Sequence, residues 1–323
     1  MKDRQQPRRA IAEPTIKRRR SGKTWIFVVV AVAVLLGGGG VAAYFSGALD
    51  SLFHKMDLPI VSPIASHQPS KKLTEWPLTG VSGTIESRAT VVAEVENSET
   101  TRPLIGLEVA DFVMEEAAGP QVTRLSAVFN SVLPLEVSSI GSLPSTPDQR
   151  WPESFVVLSS GQSPSVQNTG ETPEPLAQFD VDGQGSTSQR YGEMTTAVSI
   201  SLPGETSITW VWDADSFTWL RTDGMEPTMT GAGTQVAAVN LIIVEVDCFP
   251  PVAGTDIPTN ILIGEGKGLV ASGQMSAPIT WKRDSLASLW EFTAPDGTPL
   301  ALVPGNTWIE IVPKSLGDWT PFT

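Results

Sequence analysis

Five acidic side chains between residues 94 and 116 are the part of this sequence best suited to chemistry. They are Glu94, Glu96, Asp111, Glu115 and Glu116. Two carboxylates held at a fixed separation can serve as general acid and general base in glycan hydrolysis. Arg102 and Arg124 lie nearby in the sequence, however, and such carboxylates more often form ion pairs or stay solvated on a strand face. The pattern therefore favours structural pairing or ligand binding over catalysis.

The positions of histidine and cysteine exclude several kinds of catalysis. The only histidines are His54 and His67, both ahead of the segment expected to fold, and the only cysteine is Cys248. Residues 68–323 therefore cannot supply a Ser-His-Asp or Cys-His catalytic group or a histidine-ligated zinc site. Cys248 follows a strand-like run, which predicts a small buried apolar side chain. No metal site or cofactor is predicted.

Two glycine-containing segments resemble ligand loops without matching them. Residues 180–185 read Asp-Val-Asp-Gly-Gln-Gly but lack a glutamate at the spacing of a calcium loop. Residues 264–268 read Gly-Glu-Gly-Lys-Gly and lack the spacing of a phosphate-binding loop. The first is predicted to be a surface loop, and the second a tight hairpin or bulge between strands.

The ten tryptophans invite a comparison with carbohydrate-binding proteins, in which flat rings stack on sugars. Trp210 and Trp212 alternate with Val211 and so share one face of a predicted strand, and Trp219 follows soon after. Such rings usually belong to the core of a β-rich domain. Core positions are therefore predicted, whereas an exposed aromatic platform would favour glycan contact.

An apolar run near the amino terminus predicts a membrane anchor. Residues 24–49 contain no Asp, Glu, Lys, Arg or His and, as a helix, can span a hydrocarbon core of ~30 Å. The basic leader at residues 1–23 predicts a cytoplasmic amino terminus and an extracytoplasmic location for residues 50–323. Cleavage after Ala48 is the alternative, although the length of the run favours an uncleaved single-pass helix. A lipid anchor would need a cysteine at the end of the run, and none is there.

Charge divides sharply at the same point. Residues 1–23 have a net charge of +7, whereas residues 24–323 have a net charge of −20. A region this acidic repels nucleic acid, so a nucleic-acid partner is not expected.

Composition divides the rest of the chain into a stalk and two subdomains. Residues 50–75 are rich in proline and serine, which predicts an extended tether. Residues 76–200 are predicted to form an α+β subdomain with a short helix and a strand within 104–116, and residues 201–323 a β-rich subdomain. Strands are predicted over residues 88–96, 123–129, 155–158, 208–212, 217–220, 236–246, 261–263, 268–271, 277–282, 290–293 and 308–312. The predicted fold class is α+β, preceded by a single transmembrane helix.

Several strings of residues match a known family. They are Trp76-Pro-Leu-Thr-Gly80, Thr123-Arg-Leu-Ser-Ala-Val-Phe129, Gly264-Glu-Gly-Lys-Gly268, Ile279-Thr-Trp-Lys-Arg-Asp-Ser285 and Leu302-Val-Pro-Gly-Asn-Thr-Trp-Ile-Glu-Ile-Val-Pro313. Through them the chain resembles the YerB-like family of bacterial lipoproteins, which has two adjoining domains and no known function. The resemblance spans about residues 76–313, and it implies a fold and an envelope location rather than a chemistry.

The sequence departs from the family pattern where relatives carry polar residues. Gly141 and Pro144 stand where a Gly-Pro-x-Arg-Ser-x-Arg segment would have arginines. A His-x-Gly-Gly-Ser-Pro stretch appears as residues 159–164 without its histidine, and a Pro-His-Asn stretch has no counterpart near 189–191. If these residues form a polar site in relatives, this chain has largely lost it. Relatives are also held by a lipidated cysteine, so the apolar helix is expected to replace that anchor.

These observations favour a membrane-anchored extracytoplasmic module that binds a protein or cell-wall ligand without catalysis. Its expected partners are the cytoplasmic membrane and that envelope ligand. The residues expected to contact the ligand are Glu94, Glu96, Arg102, Asp111, Glu115 and Arg124. One alternative is a carboxylate-dependent hydrolase of cell-wall glycan or peptide, which needs two acidic residues roughly 5–10 Å apart in an open cleft. Another is a structural spacer.

Overall fold

The computed structural model describes residues 75–85, 87–138, 150–158, 170–251 and 257–323. The predicted leader, apolar helix and stalk, at residues 1–23, 24–49 and 50–75, lie outside this part except for Glu75. Across the described ranges, no helix is both long enough and apolar enough to cross a membrane.

Nineteen strands, one α-helix and one 3-10 turn form the regular structure of the described residues. The strands are β1 (Thr90–Asn97), β2 (Phe112–Gly119), β3 (Val122–Phe129), β4 (Phe155–Leu158), β5 (Gln178–Phe179), β6 (Glu193–Met194), β7 (Ala197–Leu202), β8 (Thr206–Asp213), β9 (Thr218–Asp223), β10 (Glu226–Pro227), β11 (Ala237–Ala238), β12 (Asn240–Phe249), β13 (Thr259–Ile261), β14 (Gly264–Ser272), β15 (Met275–Arg283), β16 (Glu291–Thr293), β17 (Ala301–Leu302), β18 (Thr307–Pro313) and β19 (Asp318–Phe322). The helix, α1, is Thr187–Tyr191, and the turn is Leu107–Val109.

Most of these strands belong to two sheets. The larger sheet is mixed and has eleven described strands, nine of them in the order β16-β15-β14-β12-β18-β2-β3-β1-β4, with β13 beside β12 and β6 beside β15. The pairs β12–β18, β18–β2 and β1–β4 are parallel. The smaller sheet has six described strands, in the order β10-β9-β8-β7-β19 with β11 beside β9. β5 and β17 form a separate parallel pair.

The larger sheet is buried on both faces, so two hydrophobic cores form. The inter-sheet core lies between the two sheets and contains Trp210, Trp219 and Trp308. The second core covers the opposite face of the larger sheet and contains Trp151 and Trp290. Every residue of β1 and of β18 is buried. A charged side chain in either strand therefore loses its hydration and needs a partner inside the protein.

Alternation along the strands decides which face each acidic side chain occupies. In β1, Val95 belongs to the inter-sheet core, so Glu94 and Glu96 lie on the opposite face. In β2, Glu115 points towards the smaller sheet and Glu116 away from it, because neighbouring residues of a strand alternate. The acidic residues are thus separated into two groups by a single layer of sheet.

The α+β class predicted from the sequence is wrong. The described residues form sheets almost throughout, and their one α-helix has five residues. The helix predicted within residues 104–116 is only the 3-10 turn, which begins after Gly106 and ends at the extended backbone of Ala110. The apolar residues that suggested a helical face lead instead into β2, which is buried on both faces and so carries apolar residues at consecutive positions.

Most predicted strands are present. β4 has the predicted ends, and β3, β8, β15 and β18 have ends shifted by one or two residues. Strands from both sides of the predicted boundary at residue 200 share the larger sheet, because β2 pairs with β18. The division into two subdomains at that boundary stays a prediction.

Candidate functional site

A group of buried and half-buried charged side chains, here called the inter-sheet cluster, lies between the two sheets. It contains Arg221, Glu115, Asp223, Glu310 and Arg102. Arg221 and Glu115 are fully buried. Their side chains meet at two points, with Nη2 donating to Oε1 at 2.7 Å and Nε to Oε2 at 3.1 Å. Two parallel bonds of this kind are the strongest arrangement of arginine and carboxylate.

The other polar atoms of this ion pair are also bonded. Arg221 donates through Nη1 to Asp223 Oδ2 at 2.5 Å. Glu115 accepts further bonds from Thr123 Oγ1 at 2.6 Å and from Trp308 Nε1 at 2.9 Å. Glu115 therefore accepts four hydrogen bonds, which compensates the loss of its hydration.

Glu310 differs from the other members of the inter-sheet cluster. It is fully buried opposite Glu115 in the register of β18 and β2. Trp210 Nε1 donates to its Oε1 at 2.7 Å, whereas its Oε2 has no hydrogen-bond partner in the described part of the chain. Burial, and then the charge of Glu115, raises the pKa of Glu310 well above its ordinary value. The neutral acid is favoured because it avoids a second anion beside Glu115.

A second group, the Arg150 cluster, lies on the opposite face of the larger sheet. It contains Arg150, Glu116, Arg124, Glu94 and Asn260. Arg150 Nη1 donates to Glu116 Oε1 at 2.7 Å, and Asn260 Nδ2 donates to Glu116 Oε2 at 3.1 Å. Arg124 lies between the two carboxylates, with Nη1 3.5 Å from Glu116 Oε1 and Nε 3.4 Å from Glu94 Oε2.

The two carboxylates of the Arg150 cluster have pKa values shifted in opposite directions. Burial raises the pKa of Glu94, and the charges of Arg124 and Arg150 offset this only in part. Burial is also the largest single effect on Glu116, but the charge and hydrogen bond of Arg150, the charge of Arg124 and the bond from Asn260 together outweigh it and lower the pKa of Glu116 below its ordinary value. Glu116 is therefore the firmly ionised partner of Arg150.

Arg283 borders the Arg150 cluster without a carboxylate partner among the described residues. It is 2% exposed and donates to the main-chain oxygens of Arg150, Leu286 and Ser288 at 2.6, 2.7 and 2.9 Å. Burial and the charge of Arg150 lower the pKa of Arg283 to about 10. The guanidinium therefore stays charged at neutral pH and fastens the loop that follows β15.

The structure divides the six residues predicted to contact a ligand. Glu94 and Arg124 lie in the Arg150 cluster, and Glu115 lies in the inter-sheet cluster. Arg102 joins the inter-sheet cluster at its edge, where its Nη2 lies 2.7 Å from Asp223 Oδ2. The sequence prediction thus placed in one site residues that occupy two faces of a sheet.

Glu96 and Asp111 make local bonds. Glu96 accepts a bond from Ser98 Oγ at 2.8 Å. Asp111 accepts bonds from the main-chain N–H and the hydroxyl of Ser131 and from the N–H of Asn130, which closes the turn after β3. Burial raises the pKa of Asp111, and these bonds oppose the rise. The assignment of all six residues to ligand binding stays a prediction.

The five carboxylates considered for hydrolysis do not form an open acid–base pair. Each has an exposed fraction of 7% or less, and each is bonded to a neighbouring side chain. A general acid and base must reach the scissile bond and an attacking water. These side chains are instead occupied by arginine, serine, threonine and tryptophan donors.

The sequence did not predict four charged residues of the two clusters, which are Arg221, Asp223, Glu310 and Arg150. Arg221 and Asp223 lie two and four residues after Trp219 on one strand, so alternation alone places them on the side of the inter-sheet core. The alternation of side chains along this strand is thus the sequence pattern that identifies Arg221 and Asp223.

The remaining sequence features have simple structural roles. Trp210 and Trp219 are core residues, as predicted. Asp180 accepts two main-chain N–H bonds at 2.7 Å, which closes a turn. Residues 264–268 open strand β14. Cys248 is half-buried rather than buried.

An open cavity of about 700 Å³, here called the lysine groove, crosses strands β16, β15, β14 and β12. Its lining residues are Glu245, Glu265, Gly266, Lys267, Thr280, Trp281, Lys282, Thr293 and Lys314. Three lysines follow Lys72 in the sequence, and all three line this groove. The volume lies within the range of small-molecule sites in proteins.

Comparison with known proteins gives the family. The N-terminal domain of the family described as "Protein of unknown function (DUF3048)" matches residues 78–196, and the C-terminal domain of the same family matches residues 198–309. The chain belongs to this family. The resemblance drawn from the sequence strings is therefore confirmed.

One relative is "Putative lipoprotein YerB" of Bacillus subtilis (strain 168). It is 26% identical, and the match covers 76% of this chain and 87% of the relative. The crystal structure of the YerB protein from Bacillus subtilis has a TM-score of 0.58 and 20% identity, over 76% of this chain and 99% of that one. At this identity the structural likeness shows a shared fold. The departures at Gly141, Pro144 and residues 159–164 lie outside the described residues.

Proposed function

We propose that this chain is a membrane-associated, extracytoplasmic module that binds a protein or cell-wall ligand without catalysing a reaction. The name of the Bacillus subtilis relative, which describes that protein as a lipoprotein, supports the location. The difference between the bonded charges of the interior and the exposed charges of the lysine groove supports the binding role.

The observation that carries the proposal is the contrast between interior and surface charges. The charged groups of the two clusters are buried or half-buried, and they are bonded to side chains inside the protein. The lysine groove, in contrast, is open and presents ammonium, hydroxyl and carboxylate groups to solvent. Lys267 is exposed and makes no ion pair with any described residue. Groups that are exposed and uncommitted can contact a ligand, whereas the clusters hold the framework that positions them.

A binding assay with isolated cell envelopes tests this role. The full-length chain, a variant with Lys267→Gln, Lys282→Gln and Lys314→Gln, and the control Arg190→Gln are incubated with envelopes, crosslinked and sedimented. Arg190 is an exposed cation on α1, away from the groove. We expect a saturable bound fraction that the triple substitution lowers and the control leaves unchanged. Recovery of the wild-type chain alone in repeated experiments would count against a binding role.

Catalysis has its own readout in the same material. Glu116→Gln removes the most firmly ionised carboxylate of the Arg150 cluster. We expect no soluble glycan or peptide to be released from envelopes by either the wild type or this variant. Release by the wild type that Glu116→Gln abolishes would revive the hydrolase alternative.

A further inference from the structure

We propose that the outer face of the smaller sheet binds an extended peptide, and that a lysine side chain of this peptide enters a cavity at the edge of the sheet. The inference goes beyond the proposed function, because it adds a second contact surface that shares no lining residue with the lysine groove. The cavity, here called the acidic cavity, has a volume of about 380 Å³. This volume lies within the range of ligand sites in proteins.

The charges of the acidic cavity fit a cation. Glu108 and Asp213 line the cavity, and its described lining contains no lysine, arginine or histidine. Neither carboxylate forms an ion pair within the described ranges. Arg221, the one cation of β9, points to the opposite face of the sheet, where it bonds Glu115 and Asp223. The two carboxylates are therefore left for a positively charged ligand.

The hydrogen bonds around the acidic cavity leave acceptors for a ligand. Ser216 Oγ donates to Asp213 Oδ2 at 2.5 Å, so the bond of 2.7 Å between Ser216 and Thr218 uses the proton of Thr218. Gln235 Nε2 donates to the main-chain oxygen of Arg221 at 2.7 Å, which leaves its Oε1 as an acceptor. The hydrogen bonds from Ser216 also lower the pKa of Asp213, so this carboxylate is ionised at neutral pH. An ammonium group has three N–H donors and no acceptor, which matches this set.

The same inventory disfavours a sugar. A sugar hydroxyl both donates and accepts, so a sugar site needs donors as well as acceptors. Thr230 and Thr234 share a bond of 2.9 Å between their hydroxyls, which leaves one proton of the two for a ligand. Glu108 and Asp213 supply no donor when ionised. An ammonium group is therefore favoured over a polyol.

The rest of the lining suits the stem of a lysine side chain. Leu107, Leu220, Val236 and Ala237 supply apolar surface to the acidic cavity. A lysine can bury its methylene groups against such a surface while its ammonium reaches polar groups. The cavity can thus contact both parts of a lysine side chain.

A row of apolar side chains, here called the apolar row, leads from the acidic cavity across the outer face. The row consists of Ala237, Leu220, Val211, Ala197 and Phe322, which face one another in turn on β11, β9, β8, β7 and β19. Its first two members line the cavity. Val211 is 44% exposed and Phe322 is 49% exposed. A partner that places a lysine in the cavity can therefore also bury apolar side chains on the row.

The dimensions of the apolar row indicate the pattern of the peptide. Leu220 and Phe322 are separated by three strand spacings, or about 14 Å. In an extended peptide, the side chains two and four positions from a lysine lie on its face at about 7 and 14 Å. A lysine in the acidic cavity therefore brings apolar side chains at these positions towards Val211 and towards Ala197 and Phe322.

Calorimetric titration of the full-length chain with the soluble peptide Gly-Lys-Ser-Val-Ser-Val-Gly tests the proposal. The matched control peptide carries acetyllysine, which keeps the stem of the side chain and removes its charge. We expect the acetyllysine peptide to bind about tenfold more weakly, because hydrogen bonds to a charged group are lost. Binding of the lysine peptide should weaken with rising salt.

Variants of the chain test each part of the surface. Glu108→Gln and Asp213→Asn are each expected to weaken binding about two- to fivefold, from the contribution of a partly exposed ion pair. Val211→Ser should weaken it about fivefold through lost apolar contact. The control Glu291→Gln, at an exposed carboxylate on β16, and the triple lysine variant should bind like the wild type. A melting temperature close to that of the wild type shows that each variant is folded.

Four results would overturn the proposal. Equal binding of the two peptides would show that the ammonium is not recognised, and unchanged binding by the double variant Glu108→Gln, Asp213→Asn would exclude the acidic cavity. Binding of a neutral chitin tetramer that Asp213→Asn abolishes would assign the cavity to sugars. A dimer in sedimentation velocity that Val211→Ser dissociates would assign the face to a second copy of the chain.

Failure of this inference is distinguishable from failure of the proposed function. If the lysine peptide does not bind while envelope binding still depends on the lysines of the groove, the peptide surface is wrong and the proposed function stands.

Discussion

The ion pair between Arg221 and Glu115 is expected to be the most sensitive point of the framework. Replacing Arg221 with methionine removes the one cation that pairs with Glu115 among the described residues. Glu115 keeps its bonds from Thr123 and Trp308, and Asp223 keeps its contact with Arg102. A fully buried carboxylate would then lack a compensating charge.

The size of the effect follows from burial. Removing one partner of a buried ion pair typically lowers the free energy of unfolding by about 3–5 kcal/mol. For a domain of this size, this corresponds to a melting temperature lower by about 6–20 °C. Glu115→Gln should be milder, because Arg221 still contacts Asp223. The double variant has neither the carboxylate of Glu115 nor the guanidinium of Arg221, so no unpaired anion remains at position 115. Its loss of unfolding free energy should therefore be smaller than the sum of the two single losses.

Urea unfolding at pH 7, followed by tryptophan fluorescence, measures these four proteins. The double-mutant cycle is valid if the dependence on urea is the same for all of them. We expect a coupling free energy of at least ~1 kcal/mol. A loss below ~1 kcal/mol for Arg221→Met, or additive losses in the cycle, would show that the pair does not act as a unit.

Three further predictions concern single side chains. The pKa of Glu310 is raised in the folded protein, so its contribution to stability is full below its unfolded pKa and is lost as the pH rises towards the folded pKa. Thermal melts should therefore show Glu310→Gln to be as stable as the wild type at pH 4 and increasingly more stable than the wild type at pH 7 and 8. The pKa of Glu116 is lowered in the folded protein, so its contribution to stability is present above its unfolded pKa and is lost as the pH falls. Urea titrations should show Glu116→Gln to be about 3–5 kcal/mol less stable than the wild type at pH 7 but similar to it in acid. Gly106→Ala should lower the free energy of unfolding by about 1–3 kcal/mol, because φ is +86° and the new Cβ would lie 2.5 Å from the main-chain oxygen of Glu136. The control Gly183→Ala meets no atom within 4 Å, so its loss in chemical unfolding should be smaller.

The sequence predicts the strands well and the fold class poorly. Runs rich in Val, Ile and aromatic residues identify strands such as β3, β8 and β15, because their local pattern is strong. Residues 104–116 mislead, since consecutive apolar residues fit a helix face as well as a strand buried on both sides. The choice between helix and strand depends on the layers that pack on both faces of the larger sheet. Those layers come from distant parts of the sequence, so the local pattern does not reveal them.

The candidate site shows the same limit at the level of single residues. Pairing of the acidic residues with arginine was the favoured interpretation, and Arg124 does lie between two of them. The partner of Glu115 was missed, because Arg221 is 106 positions away in the sequence. Only the packing of the smaller sheet on the larger one brings these residues together.

The described arginines and lysines occupy different surroundings, which explains how an acidic module can combine a stable interior with exposed charges in the lysine groove. Arginines hold the buried carboxylates, because five donors in a rigid fork can satisfy an anion that has lost its water. Lysines remain at the surface, where a flexible point charge can exchange one partner for another. Lys267 and Lys282 also belong to the strings through which the chain resembles its family, whereas Lys314 lies one residue beyond the last string.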